Sequence, residues 1–270
     1  MSDSSVSDLL SARRADLSAV TAALTGRRPV SPCRWQAQDA FVKKAMPPRW
    51  RDRCFPLYAP WLRRKLAPGV PFVPRVYPAD LPVEAVRLAA LHAAGCRVPE
   101  ILAVDRDAFV MSDAGWTLED ELNPRDDPAA CLRWLTLAVT DLTDFHAAGH
   151  WHGGAQARNL TLGPEGRLGR IDFETDYDRY LPLPLLQGFD VLLFLSSVTR
   201  YVSDDDFDTL STLCVSRSGA AVRAVLSRAL PLVGWLARSS LLARTAPKEA
   251  RRVRAIARTL AACRADIGHD

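Results

Sequence analysis

The sequence predicts an α+β protein in which a small lobe of mixed strands and helices precedes a mainly helical lobe. Runs of alternating apolar residues, separated by turn residues, are confined to the region before residue 112, apart from one short strand pair further on. Long runs with helical spacing dominate from residue 129 onward. The 270 residues are 48% hydrophobic, which is enough apolar material for one large domain or two small lobes. We therefore place the lobes at residues 1–112 and 113–270.

The first lobe is predicted to contain two helices and two strand pairs. Apolar residues at helical spacing, with Ser and Asp available as caps, predict the first helix, and a closing glycine marks the end of the second. Alternation around Trp35 and Phe41 indicates a strand pair. The predicted helices cover residues 5–25 and 83–95, and the strand pairs cover 33–45 and 96–115, the latter joined at 105–107.

The second lobe is predicted to be helical except around one loop. A long helix ends at Gly149 and is followed by the loop WHGGAQARNLTL and then by the strand LGRIDFE. The most apolar run of the chain follows as a buried helix. The predicted helices cover residues 129–149, 185–202, 204–229, 230–244 and 247–266.

Composition excludes several classes of protein. The net charge of +4 is too small an excess to imply a nucleic-acid partner. Six widely spaced cysteines without a C-x-x-C pair suggest neither a zinc finger nor a disulfide framework. The start of the chain fits no secretory signal, and the apolar window 181–198 is interrupted by two prolines, Gln187 and Asp190. We expect a cytoplasmic protein without a transmembrane segment.

A basic, aromatic segment at residues 46–68 carries the strongest charge asymmetry in the chain. From Lys43 to Lys65 there are eight Lys or Arg residues against the single acid Asp52, interleaved with Trp, Phe and Tyr. One interpretation is a solvated helix whose aromatic side packs on the first lobe. The other is a patch at residues 43–65 that meets an anionic surface, such as phospholipid head groups or lipopolysaccharide core phosphates. The second interpretation would place the protein peripherally at the inner membrane surface.

The run FHAAGHWHGGAQARN, residues 145–159, followed by RIDFE, carries the most specific chemistry. It leads from the end of a helix into a loop, and Asp172 lies 13 residues after Asn159 beyond a hairpin turn. Phosphoryl transfer with a metal needs oxygen ligands for the metal, a cation for the phosphates and a group that orients the attacking hydroxyl. An Asn and an Asp that a hairpin brings together can share one metal ion.

These two runs resemble the catalytic and metal-binding loops of the protein kinase-like superfamily, L-H-x-x-G-x-x-H-x-D-x-x-x-x-N followed by D-F-G. The resemblance covers roughly residues 35–200. It implies a two-lobed protein kinase-like fold that binds ATP and Mg²⁺. It also implies that His152 is the structural histidine of the catalytic loop, Asn159 a metal ligand and Asp172 the principal magnesium ligand. Asp190 matches a buried helix Asp that braces the loop, whereas His146 and His150 are interpreted as packing or capping residues.

The resemblance extends to a lysine and a glutamate in the first lobe. Lys43 looks like the strand lysine that binds phosphate, and Glu84 looks like its ion-pair partner on the helix. Lys44 is the alternative, but alternation along a strand puts the two lysines on opposite faces, and Lys43 shares its face with Phe41. The run from this helix to the strands is similar to that of bacterial lipopolysaccharide core, RIO-type and aminoglycoside-type kinases.

The sequence departs from the kinase pattern at three places. No glycine-rich phosphate lid precedes the strand lysine, and only 18 residues separate Asp172 from Asp190, which leaves no room for a protein-kinase activation segment. Gly154 stands where the pattern has the catalytic Asp. Gln156, at a place where kinases have a Lys or His, and Glu174, which replaces the glycine of D-F-G, are the candidates to take over part of its role, with Asp176 as a further acceptor.

The leading hypothesis from the sequence is an atypical kinase that transfers phosphate to a small-molecule, lipopolysaccharide-type or protein hydroxyl. One alternative is a pseudokinase that uses bound nucleotide as a scaffold or regulator. Another is nucleotidyl transfer on the same fold, for which the hydroxyl-orienting Asp would be dispensable.

Overall fold

The computed structural model describes residues 3–22, 29–45, 50–122, 127–163 and 166–267. The described residues divide into two compact units, each assembled from three stretches of chain. The first unit takes in residues 1–55, 75–116 and 161–176, and the second takes in 56–74, 117–160 and 177–270. The α+β class is confirmed, because a small antiparallel sheet is combined with a mainly helical C-terminal part.

The elements have the following bounds. The strands are β1 (Val30–Trp35), β2 (Gln38–Lys44), β3 (Ile101–Val104), β4 (Ala108–Ser112), β5 (Leu160–Leu162) and β6 (Leu168–Arg170). The helices are α1 (Asp3–Ala12), α2 (Ser18–Ala22), α3 (Trp50–Leu66), α4 (Val83–Ala93), α5 (Leu118–Glu121), α6 (Pro128–Ala147), α7 (Leu183–Val198), α8 (Asp204–Arg217), α9 (Ala220–Ala237), α10 (Ser240–Thr245) and α11 (Pro247–Ile267).

The four-stranded antiparallel sheet of the first unit has the order β1-β2-β4-β3. Both strand pairs expected from the sequence are present, and a two-residue turn at Gln36 and Ala37 with positive φ joins β1 to β2, as the twist of a hairpin favours. Strand β2 places Ala40 and Val42 on a face with the small apolar core around Leu17. Lys43 therefore lies on the opposite face.

The predicted helix over residues 5–25 is wrong as a single element. The described part of this range forms α1 and α2, and the residues between them pair with the edge of the sheet. The backbone N–H of Val104 donates to the carbonyl of Arg13, and the N–H of Ala15 donates to the carbonyl of Val104. These bonds compete with helix formation at the same backbone groups. Residues 23–25 of the predicted helix lie outside the described residues.

The second unit is built from helices. Helix α6 ends at Ala147, two residues before the predicted end, and Gly149 follows the C-cap with a φ of +83°, which suits a residue without a side chain. The predicted helix over residues 204–229 is wrong, because the helix is interrupted at Ser218. This residue is extended with a ψ of 145°, and α9 begins at Ala220 after Gly219. The predicted helix 230–244 is also wrong. Its first half belongs to α9, and a separate short helix, α10, starts at Ser240.

The basic, aromatic segment is largely the helix α3. One side of this helix is buried, through Phe55, Ala59 and Leu66. The other side exposes Trp50 at 79% and Trp61 at 47% of their surface, among basic residues. Residues 46–49 of the segment lie outside the described residues.

In the described part of the chain, α9 is the one helix that is long and apolar enough to cross a membrane, with a mean hydropathy of 1.3. A single helix of this kind is weak evidence for a membrane span, since length and composition are the only grounds for it.

Candidate functional site

The first unit holds a cluster of one ammonium and three carboxylates. Lys43, on β2, is only 4% exposed, and its Nζ lies 2.8 Å from Oε2 of Glu84 at the start of α4. The same Nζ lies 2.9 Å from Oδ1 of Asp172 and 3.1 Å from Oε1 of Glu174, both in the segment after β6. The ion pair expected between Lys43 and Glu84 is thus present. Sequence reasoning did not anticipate that Glu174 also contacts the lysine.

Counted by themselves, these four groups carry a formal charge of −2 when all three carboxylates are ionised. Burial lowers the pKa of Lys43, but the carboxylates of Glu84 and Asp172 outweigh burial and hold the pKa above its ordinary value. Burial also raises the pKa of Glu84, against the opposing effect of Lys43, and the neighbouring carboxylates of Asp172 and Glu174 raise it further. Neighbouring carboxylates thus raise the pKa of both Lys43 and Glu84.

The segment after β6 is held by main-chain contacts. Asp172 has a φ of +71°, a left-handed conformation that is uncommon for a residue with a side chain and is found at functional sites. The backbone N–H of Phe173 donates to Oε1 of Glu84 at 3.2 Å. The buried guanidinium of Arg87 donates to the carbonyls of Phe173 and Thr175, at 3.3 and 2.7 Å. Helix α4 thus fixes both the lysine and the segment that carries Asp172.

The cluster has the chemistry of a site for a hard divalent cation. One oxygen each from Glu84, Asp172 and Glu174 lie within 4.8 Å of one another. Mg²⁺ prefers oxygen ligands and is usually held by one or two carboxylates together with phosphates. Bound there, the ion would offset the formal charge of −2. The three carboxylates are therefore a group that could hold a metal ion.

In the second unit, a buried carboxylate supports the loop that follows α6. Asp190, on α7, is completely buried. Its Oδ2 accepts a hydrogen bond from the backbone N–H of His152 at 2.6 Å, and its Oδ1 accepts one from the N–H of Gly153 at 2.7 Å. Gly153 has a φ of +87°, which a residue with a side chain adopts only at a cost. Asp190 therefore braces this loop through its main chain, as the sequence resemblance implies.

Two more side chains complete the support of the loop. Burial raises the pKa of Asp190, but hydrogen bonds from His146 and from the His152 backbone outweigh it and hold the pKa below its ordinary value. Nε2 of His146 lies 3.3 Å from Oδ2 of Asp190. Gln187, one turn before Asp190, donates from Nε2 to the carbonyls of His146 and His150, both at 2.8 Å. The sequence shows Gln187 only as a polar residue in an apolar run, which was the available signal for this role.

The loop itself brings His152, Gly154 and Asn159 together. Nδ1 of the fully buried His152 accepts a hydrogen bond from the N–H of Gly154 at 3.0 Å, so the ring holds the loop through its unprotonated nitrogen. Nδ2 of Asn159 donates to the carbonyl of Gly154 at 2.9 Å. Gln156 takes part through its backbone, since its N–H donates to the carbonyl of Gly154. A side chain placed on Gly154 would have its Cβ 3.2 Å from Nδ2 of Asn159.

Replacing Asp190 with Asn is expected to lower the free energy of unfolding by about 2–3 kcal/mol, because the new amide N–H₂ would face a buried N–H donor. Thermal or urea unfolding measures the loss. Asp144→Asn on the exposed side of α6 is the control, and it should cost about 1 kcal/mol or less. The pKa of Asp190 is lowered by folding, so its stabilisation is present above the ordinary value and is lost as the pH falls through the folded pKa. An equal effect of both substitutions would contradict the bracing role.

Comparison with models of known protein families finds no match, and comparison with curated proteins finds no significant one. The function therefore has to be inferred from the motifs and from the geometry of the two clusters. One residue that the motifs did not reveal is Arg87. Its signal in the sequence is a charged residue three positions after Glu84 on an otherwise apolar helix, which places both on one face.

Proposed function

We propose that the protein is an atypical kinase that binds ATP with Mg²⁺ and transfers the γ-phosphoryl group to a hydroxyl. The observation that carries the proposal is the buried Lys43 ammonium, which three carboxylates share, one of them from the left-handed Asp172. One oxygen each from Glu84, Asp172 and Glu174 lie within 4.8 Å of one another, which is the donor set that a divalent cation bound with a nucleotide would use.

The proposal assigns a role to each residue that the sequence singled out. Lys43 contacts the phosphates and Glu84 keeps the lysine oriented. The sequence resemblance assigns the metal to Asp172 and Asn159, and the carboxylates that the first unit places beside Asp172 are those of Glu84 and Glu174. Mg²⁺, when bound, would neutralise charge on the phosphates. In the transfer, the bond between the γ-phosphorus and the oxygen bridging to the β-phosphate breaks, a bond to the acceptor oxygen forms, and the hydroxyl proton leaves to a base.

This assignment lacks a carboxylate that orients the acceptor hydroxyl. Gly154 supplies no carboxylate to orient the hydroxyl. Gln156, on the same loop, can offer a hydrogen bond to an acceptor or to the transferred phosphate. The carboxylate of Glu174 is ion-paired with Lys43, and it would have to leave that contact to act as a base.

The exposed basic and aromatic side of α3 supports binding of an anionic acceptor at residues 50–65 of the patch expected at 43–65. Lys43 is buried and does not belong to this surface. Trp61 and Tyr58 are exposed beside Arg63, Arg64 and Lys65. Such a surface suits phosphates of a lipopolysaccharide-type acceptor or of phospholipid head groups, and it suits a peripheral location at a membrane.

A pseudokinase is the second candidate, and Gly154 is the observation that favours it. The carboxylate missing at Gly154 would orient the attacking hydroxyl and would not hold the nucleotide. A site without this carboxylate can therefore still bind nucleotide. ATP labelled separately at the γ- and α-phosphates distinguishes the functions. Transfer of the γ label supports a kinase, transfer of the α label supports nucleotidyl transfer, and binding without transfer supports a pseudokinase.

Asp172→Asn is expected to abolish the Mg²⁺-dependent part of nucleotide binding. With ATP and Mg²⁺ at a hundredfold excess over Kd, the wild type should gain about 2.7 kcal/mol of stability. Asn tolerates the left-handed backbone of Asp172 but lacks the charge that holds the metal. Thermal unfolding with ATP, with and without Mg²⁺, measures the difference.

Asp39→Asn, an exposed change on β2 that removes the same charge, is the matched control and should keep the full shift. If wild type shows no shift with ATP and Mg²⁺, the assignment of a nucleotide and metal site is wrong.

A further inference from the structure

The C-terminal half of α9 is an apolar surface that the second unit leaves uncovered. All four buried residues of this helix lie between Val222 and Ala229. From residue 230 onward the helix reads LPLVGWLA and contains no buried residue. Trp235 is 66% exposed, and Leu241 of the following helix, α10, is 70% exposed. We call residues 232–241 the apolar tip. An exposed apolar patch of this kind marks an interaction site.

Basic residues follow and interrupt the apolar tip. Residues 232–254 contain six Lys or Arg residues and a single acid, Glu249. Glu249 pairs with Arg252. The other five basic residues are exposed, and within the described part of the chain no carboxylate forms an ion pair with them. They are Arg238, Arg244, Lys248, Arg251 and Arg254.

The occupant of this surface must therefore be apolar and anionic at once. We propose that the apolar tip docks onto the surface of a membrane that contains anionic lipids, with Trp235 and its leucine neighbours in the interface and the basic residues on the head groups. Trp and Leu on one side with Lys and Arg at the margin is the composition of helices that lie in the plane of a membrane. This inference is independent of the proposed nucleotide site.

A spanning arrangement of α9 is disfavoured by its first half. Val222, Val225, Leu226 and Ala229 follow helical spacing and pack into the core of the second unit. Insertion across a bilayer would pull these four side chains out of that core. Only the second half of the helix can enter a membrane while the fold stays intact.

A second copy of the chain is also a poor occupant. A two-fold contact would place the same patch of each copy against the other. Two equally basic segments would then meet, and Glu249, the single acid of residues 232–254, is already paired with Arg252. An anionic lipid surface supplies the opposite charge to all of them.

Cosedimentation of the full chain with vesicles tests this proposal. We expect binding to phosphatidylcholine vesicles that contain phosphatidylglycerol, weaker binding to phosphatidylcholine alone, and release by salt. Trp235→Ala should weaken binding by about tenfold or more, because it removes a large apolar side chain from the interface. Arg238→Gln with Arg244→Gln should weaken it by about 30-fold, since each basic residue near an anionic surface contributes a factor of about five in affinity.

Trp116→Ala is the matched control, because Trp116 is 64% exposed but belongs to the first unit. It should leave vesicle binding and thermal unfolding unchanged. Trp61→Ala tests whether vesicles bind to α3 and not to the apolar tip. The proposal is overturned if wild type does not prefer anionic vesicles, if Trp116→Ala weakens binding as much as Trp235→Ala, or if only Trp61→Ala does so. A dimer that dissociates on Trp235→Ala would instead assign the apolar tip to a second copy.

Discussion

Gly154→Asp is expected to raise the rate of phosphoryl transfer by about 10²- to 10⁴-fold, the usual contribution of a general base. The substitution places a carboxylate at the position where the kinase pattern that the loop resembles has its catalytic Asp. The main chain of the loop is fixed, since Asp190 accepts hydrogen bonds from the N–H groups of His152 and Gly153. Release of labelled ADP or inorganic phosphate from ATP, with and without candidate acceptors, measures the rate.

The space at Gly154 permits this experiment. The new Cβ would lie 3.2 Å from Nδ2 of Asn159 and 3.5 Å from the ring of His152, so the neighbours have to yield by only a few tenths of an ångström. Gly154→Ala carries the same Cβ without the carboxylate and is the control. We expect no gain from it. If Gly154→Asp folds, binds ATP and still shows no gain, the missing carboxylate is not what limits transfer, and the pseudokinase function is favoured.

Lys43→Met is expected to lower the free energy of unfolding by about 3–5 kcal/mol and to abolish nucleotide binding. The loss in stability arises because the carboxylates of Glu84, Asp172 and Glu174 would remain together without their shared cation. Adding Glu84→Gln should recover part of the stability by removing one of these charges, but it should not recover binding. Urea unfolding and ATP titration measure the two effects separately.

Lys44→Met is the natural control, because the neighbouring lysine points to the other face of β2. It should change stability by about 0.5 kcal/mol or less and leave ATP binding intact. Equal losses from the two lysines would contradict the choice of Lys43. Recovery of ATP binding in Lys43→Met with Glu84→Gln would show that the lysine serves only the fold.

The strand pairs of the first unit and the helices α4 and α6 could be predicted because the sequence patterns that define them are local. Alternating apolar residues, a closing glycine and a turn between strands all act within a few residues of the element that they define. The helix predicted over residues 5–25 failed for a non-local reason. Its middle residues, Arg13 and Ala15, form backbone hydrogen bonds with Val104, about ninety positions away. The local pattern does not show that partner. The break at Ser218 and Gly219 was local, and the S-G pair was a signal that could have located it.

The candidate site divides in the same way. The kinase-like spacing selected Lys43, Glu84, Asp172 and Asp190 from their order along the chain. The geometry then added what spacing cannot contain, namely that Glu174 also contacts the lysine and that Arg87 holds the segment after β6. Residues so far apart meet only through packing, and a motif records identities but no distances.

The sequence by itself determined the α+β class, the strand pairs of the first unit and the helices α4 and α6, because each of these depends on residue type and short-range periodicity. Only the tertiary structure decided the charge balance around Lys43, the left-handed backbone of Asp172 and the exposure of the apolar tip on α9. The reason is physical. Burial and the distance between charges are properties of packed elements, and neither is set by the separation of 129 positions between Lys43 and Asp172 along the chain.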